Sequence, residues 1–259
     1  MTTRDSAWPA GTPCWTDLST SDPQAAGEFY SRLFGWDLKV GPPETGGYTM
    51  ALQDGRAVTA INGMAAEGQT PTAWVTYLAT DDVDAAVTAA QAAGATSKFP
   101  PMDVMTQGRM GMIVDPTGAA VGLWQAGEMT GSQVNNVPGT VGWNELRTRD
   151  VDGAQAFYAA VFGLTFDEVP MPPPDRYATF EAGGRMAGGM GSMPPGLPEQ
   201  VPAHWGVIFN VADTDEAAAA VQRLGGSVLQ PPFDTPQGRL CVAADPQGAS
   251  FSMMRLAAE

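Results

Sequence analysis

Two matched triplets hold the residues best placed for chemistry: Trp15-Thr16-Asp17 and Trp143-Asn144-Glu145. In a strand, residues two apart share a face, so each acid would stand beside its indole. A carboxyl group surrounded by apolar side chains loses the hydration of its anion. Its pKa rises, and it can give or take a proton near neutrality. Asp17 and Glu145 are therefore candidate general acids or bases, with Trp15 and Trp143 as an aromatic wall for a ligand. The competing reading is packing, in which each acid caps a loop or pairs with an arginine while the indole fills space. His204 is the only histidine. Its near-neutral pKa makes it the third proton-carrier candidate, against a structural or solvent-facing role. Cys14 and Cys241 belong to no C-x-x-C run and have no cationic neighbour in sequence to activate them. They read as small buried hydrophobes.

The elements that must position these residues come in copies. WTDLSTSDPQAAGEFYSRLFGW from Trp15 matches WNELRTRDVDGAQAFYAAVFGL from Trp143. Three further blocks follow in the same order at an offset of about 128 to 131 residues, ending in QGRMGMIVDPTG and QGRLCVAADPQG. The chain is a duplication. Its expected domains are residues 10–128 and 139–259, joined by a polar, glycine-containing linker over 129–138. Each copy again reads as two halves: a short strand, an Asp-capped helix, then three strand-like runs. Asp22 suits an N-cap and Pro23 the first helical position, with Gly35 as the stop. Asp81 or Asp82 caps a second helix running to Gly94. Tyr48, Met50 and Leu52 alternate onto one strand face, and the D-P-x-G segments at Asp115 and Asp245 are hairpin turns. The expected fold is α+β, a tandem pair of domains each made of two βαβββ modules. A sheet with helices on one side only would curve around a cavity, helices outside.

The motif D-x-x-x-A-x-x-F-Y-x-x-x-F-G, then D-D-V-D-A-A-x-x-x-A-x-A-A-G-A, then D-P-x-G, resembles the vicinal oxygen chelate superfamily. That superfamily includes glyoxalase I, bleomycin-resistance proteins, fosfomycin-resistance enzymes and extradiol dioxygenases. The likeness runs from about residue 12 to 256 and looks like a two-domain actinobacterial branch of glyoxalase-like or hydroxylase-like proteins. Metal-dependent members hold their ion on strand positions that the resemblance carries to Trp15, Val75 and Gly122, with a fourth near Ala60. In the second copy these are Trp143, Gly206, Ser252 and a residue near Gly189. None of these offers the imidazole, carboxylate or thiolate that such metals want, so neither a metal nor any other cofactor is expected. Tyr48, Tyr177, Trp74, Trp205 and Trp124 complete the expected ligand-binding set with Trp15 and Trp143.

Composition narrows the partners. Lys and Arg number 13 against 28 Asp and Glu, a formal net charge of −15 that opposes nucleic acid or an anionic membrane. The apolar runs are far short of the roughly 20 residues needed to span a bilayer, and the start has no signal-like apolar segment. A cytoplasmic protein, monomer or homodimer, with a small-molecule ligand is the expectation. The 31 Gly and 22 Pro imply short elements and many turns. The runs MPPPDR and MPPGLPEQVP read as surface loops that can rim a cavity, and AGGRMAGGMGS as strand ends and close packing. The 14 Met, grouped near Met102–Met112 and Met186–Met193, read either as loose core or as a pliable lining for a flat apolar ligand. Three functions stay open: a metal-independent enzyme using acid/base chemistry on an aromatic or polyketide-like molecule, a drug-sequestering protein without catalysis, and a stress or interaction protein with vestigial pockets.

Overall fold

Four aspartates start four helices. Asp22, Asp82, Asp150 and Asp213 each accept a hydrogen bond from a backbone N–H in the first turn, satisfying donors that the helix itself cannot. The computed structural model describes residues 2–66, 68 and 70–257, so the last two residues of the second expected domain lie outside it. The helices are α1 (Pro23–Phe34), α2 (Val83–Ala92), α3 (Val151–Phe162) and α4 (Thr214–Arg223). Gly35 and Gly163 end α1 and α3 in the left-handed conformation that a side chain would oppose. Among the described residues no helix is long and apolar enough to cross a membrane.

Each helix sits inside a βαβββ module. Module one has β2 (Pro13–Ser19), β3 (Asp37–Val40), β4 (Thr49–Gln53) and β5 (Arg56–Asn62), after a short β1 (Thr2–Thr3). Module two has β6 (Ala73–Ala79), β7 (Thr96–Val104), β8 (Gly108–Val114) and β9 (Ala120–Ala126). After β10 (Val134–Asn135), module three has β11 (Val141–Thr148), β12 (Thr165–Val169), β13 (Tyr177–Ala182) and β14 (Arg185–Ser192). Module four has β15 (His204–Asn210), β16 (Ser227–Thr235), β17 (Gly238–Ala244) and β18 (Ser250–Leu256). Each domain is one eight-stranded sheet, ordered β3-β4-β5-β2-β6-β9-β8-β7 and β12-β13-β14-β11-β15-β18-β17-β16. The two modules of a domain join through their first strands, β2 against β6 and β11 against β15, both antiparallel. This is the tandem α+β arrangement that the repeats predict.

The helix-bearing faces of the two sheets meet each other. One apolar core joins Phe29, Tyr30 and Phe34 of α1 to Phe209, Phe251 and Met253 of module four. The other joins Leu78, Val87 and Leu123 of module two to Phe157, Tyr158 and Phe180 of module three, with Trp205 of module four at its edge. So the helices lie outside each sheet, with their apolar faces turned to the other domain. Two crossed polar clasps lock this packing. Tyr30 donates to Asp245 Oδ2 at 3.1 Å and accepts from the Trp74 indole at 3.1 Å. Tyr158 donates to Asp115 Oδ2 at 2.9 Å and accepts from the Trp205 indole at 2.9 Å. The other oxygen of each Asp holds its D-P-x-G turn through backbone N–H groups. The F-Y tyrosine of each domain therefore closes the hairpin turn of the other.

One expectation changes here. Trp74 and Trp205 are buried in these clasps, one residue out of phase with the concave face, and do not face a ligand. Val134 and Asn135 pair with β1, and Gly139 is held by Trp36 and Asn210.

Tyr30→Phe and Tyr158→Phe each leave a buried carboxylate oxygen and an indole N–H short of a partner. Each is expected to cost about 1–3 kcal/mol in urea-induced unfolding, and an unchanged midpoint in both would contradict the clasp.

Candidate functional site

The concave faces of the two sheets differ in charge. In the first domain, Asp17 stands opposite Val75 on β6 and Ala60 on β5, and Trp15 stands opposite Tyr77. Tyr77 precedes its cap Asp82 by five residues, as Asp17 precedes Asp22, so the two side chains are module counterparts. They meet: Tyr77 donates to Asp17 Oδ2 at 3.2 Å and Tyr48 to the same oxygen at 3.1 Å. The Trp15 indole donates to the Tyr48 hydroxyl at 2.9 Å. Asp17 is 4% exposed, and its Oδ1 is buried with no hydrogen-bond partner. No cation pairs with it among the described residues. Burial pushes the Asp17 carboxyl up to about 7, against the downward pull of the two phenols. The Tyr48 and Tyr77 phenols are pushed well above their usual value by burial and then by the charge of Asp17, so they remain donors.

Around this group the wall is soft. Met50, Met110 and Met112 are half-buried and pack against the cluster that contains Cys14, Trp15, Tyr77 and Trp124. A glycine is required at Gly122, where a Cβ would stand 2.7 Å from Tyr77 Cγ. Several other methionines lie elsewhere. Met102, Met105 and Met186 are exposed, while Met190 and Met253 are core. Cys14 donates weakly to the Tyr77 carbonyl, and burial raises its thiol. Cys241 is pushed up by burial to about 11, so both thiols stay protonated.

In the second domain Ile208 takes the place of Tyr77, and the acid has a cation. Glu145 Oε1 accepts from Arg147 at 2.7 Å and Oε2 from Tyr177 at 2.9 Å. Trp143 donates to the Tyr177 hydroxyl at 2.8 Å, and the Arg147 guanidinium lies 5.2 Å from the Tyr177 ring centre. Arg147 keeps Glu145 in a compensated pair, and Trp143, Glu145, Arg147 and Tyr177 are all half-buried rather than sealed. His204 pairs in register with Arg147 and holds the Pro202 carbonyl through Nδ1 at 2.9 Å. The structure thus places Asp17 and Glu145 in separate cups, with His204 at the edge of the second and not hydrogen-bonded to Glu145. Tyr77 and Arg147 escaped the sequence reading. Comparing module with module finds the first, and strand alternation two residues beyond Glu145 finds the second.

The family model of the Glyoxalase/Bleomycin resistance protein/Dioxygenase superfamily matches residues 14–123 and again 139–253. The chain belongs to this superfamily. Among proteins it resembles is "Putative glyoxylase CFP32" of Mycobacterium tuberculosis, 46% identical over 251 residues and covering 95% of both chains. Another is "Anthracycline biosynthesis protein DauV" of Streptomyces sp. (strain C5), 38% identical over 266 residues, 95% of this chain and 94% of the relative. The fold is also that of the 2,3-dioxygenase LapB from Pseudomonas sp. KL28, with a TM-score of 0.68 at 14% identity over 98% of this chain and 94% of that one. The Mn(II)-bound glyoxalase from Novosphingobium aromaticivorans gives 0.65 at 16% over 95% and 82%. The superfamily's metal positions, carried over from the sequence, cluster around the two acids. Ala60 and Val75 stand opposite Asp17, and Gly189 and Gly206 opposite Glu145. Among the described residues no three His, Cys, Asp or Glu side chains come together.

The raised pKa has a consequence for stability. The unfolded chain ionises Asp17 near the usual carboxylate value of about 4, the folded chain near 7. Stability from protonated Asp17 is therefore fully present below about pH 4 and is lost as pH rises through 7, a change of roughly 4 kcal/mol at most. Asp17→Asn, a neutral isostere, is expected to flatten the decline of unfolding free energy between pH 4 and 8 relative to the parent. Parallel profiles would contradict it.

Proposed function

We propose that this protein binds a small apolar or aromatic metabolite without a metal ion, and that Asp17 exchanges a proton with it in an isomerisation, cyclisation or hydroxylase-like step. The observation that carries the reading is Oδ1 of Asp17, a buried carboxyl oxygen left without a partner while two phenols hold its twin. A neutral carboxyl group can donate its proton to a ligand oxygen, and the Tyr48 and Tyr77 hydroxyls then stabilise the carboxylate that remains. Met50, Met110 and Met112 supply an adaptable apolar wall. The relative named for anthracycline biosynthesis favours a polycyclic aromatic ligand.

The donors do not suit a metal. Trp15, Val75, Gly122 and Ala60 have no ligating group, one carboxylate with two protonated phenols is a poor chelate, and in the second cup Arg147 already occupies the acid. The acidic surface supports a protein that binds no nucleic acid, and we read it as cytoplasmic, a monomer or homodimer. A second reading, sequestration without turnover, is favoured by the burial of Trp15, Tyr77 and Trp124, which closes the floor of the cup.

Titration of tryptophan fluorescence with an anthracycline-type polycyclic aromatic tests this. Saturable binding unchanged by a chelator is expected, with turnover that falls as pH rises through about 7, where Asp17 loses its proton. Asp17→Asn should keep the binding and lose roughly a hundredfold or more in rate. Binding with no turnover in the parent selects sequestration, and no saturable binding overturns both readings.

A further inference from the structure

A cavity lies at the end of the first sheet, lined in part by Cys14 and Trp124 of the cluster that surrounds Asp17. It has a volume of about 160 Å³ and is bounded by Trp8 of the N-terminal arm, Trp124 at the end of β9, and Thr80, Asp81 and Thr130. An apolar cavity of roughly 150 Å³ is known to hold a benzene, so the space suits about six or seven heavy atoms. Both indole N–H groups are already used to fix the strap that follows β9. Trp8 donates to the Ser132 carbonyl at 3.2 Å and Trp124 to the Met129 carbonyl at 2.9 Å. The rings are therefore anchored, and what they can offer a guest is their π surface.

The one charged residue that lines the cavity is an acid. Asp82 caps α2, but its neighbour Asp81 makes no hydrogen bond or ion pair among the described residues and stands exposed in the cavity lining. No lysine or arginine lines the cavity, and the protein as a whole carries −15. Trp8 already accepts one cation on its ring, with the Arg4 guanidinium 5.0 Å from the centroid. The duplication supplies an internal comparison. Counted from the helix caps, Thr80 and Asp81 become Val211 and Ala212 in the second domain, and Trp124 becomes Met254 followed by Arg255. The feature occurs once per chain and is not a by-product of the repeat.

We propose that this cavity is a binding site for a small organic cation, an alkylammonium group resting against the indoles of Trp8 and Trp124 with Asp81 as its counter-charge. Indole faces attract such cations electrostatically, more strongly as water is excluded. The proposal does not rest on the acid–base reading of Asp17.

Choline is a probe of the right size, and 3,3-dimethylbutanol is its uncharged isostere. Calorimetry at fixed ionic strength is expected to show one choline per chain, with the isostere about tenfold weaker. Asp81→Asn, which touches no cap, should weaken choline about threefold or more with an unchanged melting temperature. Trp8→Leu should abolish saturable binding. The proposal is overturned if choline does not saturate, if choline and the alcohol bind alike, or if Asp81→Asn leaves choline affinity unchanged.

Discussion

The architecture depends on how two curved sheets cover their outer faces. Each domain alone would leave its helices and their apolar residues half in water. The chain solves this by setting the helix-bearing faces against each other, module one on module four and module two on module three. Apolar burial drives that association, but it is not directional. The crossed Tyr30–Asp245 and Tyr158–Asp115 contacts supply the direction, because each tyrosine reaches only the turn of the opposite domain. With the outer faces committed, the concave faces are what remains for ligands.

Duplication then permits divergence. The two cups share a Trp, a Tyr and an acid in the same geometry, yet one acid is sealed without a cation and the other is paired with Arg147. Desolvation of a lone carboxylate raises its pKa, whereas an adjacent guanidinium favours the charged form. Tyr77 in the first domain and Ile208 in the second add to the difference, since only the phenol can donate to the acid. One scaffold thus carries a buried acid without a cation and an acid paired with arginine, which is the reason the proposed proton transfer is placed on Asp17 rather than Glu145.

Local features of this fold are legible in the sequence. The repeat, the capping aspartates, the Gly35 stop and the alternation of Tyr48, Met50 and Leu52 all depend on neighbours a few residues away. The W-x-acid constellation is legible for the same reason. What escapes is set by contacts distant in sequence. Tyr30 and Asp245 lie 215 residues apart, and nothing local links the F-Y tyrosine to a D-P-x-G turn. Trp74 looked like a wall of the cavity because it is aromatic, although one step of strand alternation from Val75 turns it to the other face. A bulge between Pro13 and Trp15 adds a further shift, bringing Cys14 and Trp15 into the same cluster. Arg147 was visible as a residue type, but its pairing with Glu145 depends on side-chain conformation.

The account stands on Asp17 holding a proton near neutral pH. Carbon-13 NMR of the aspartate carboxyl carbons, assigned by comparison with Asp17→Asn, measures this directly. A resonance that titrates with a midpoint near 7, and is missing from the variant, is the predicted result. A midpoint in the ordinary range near 4 would contradict the account.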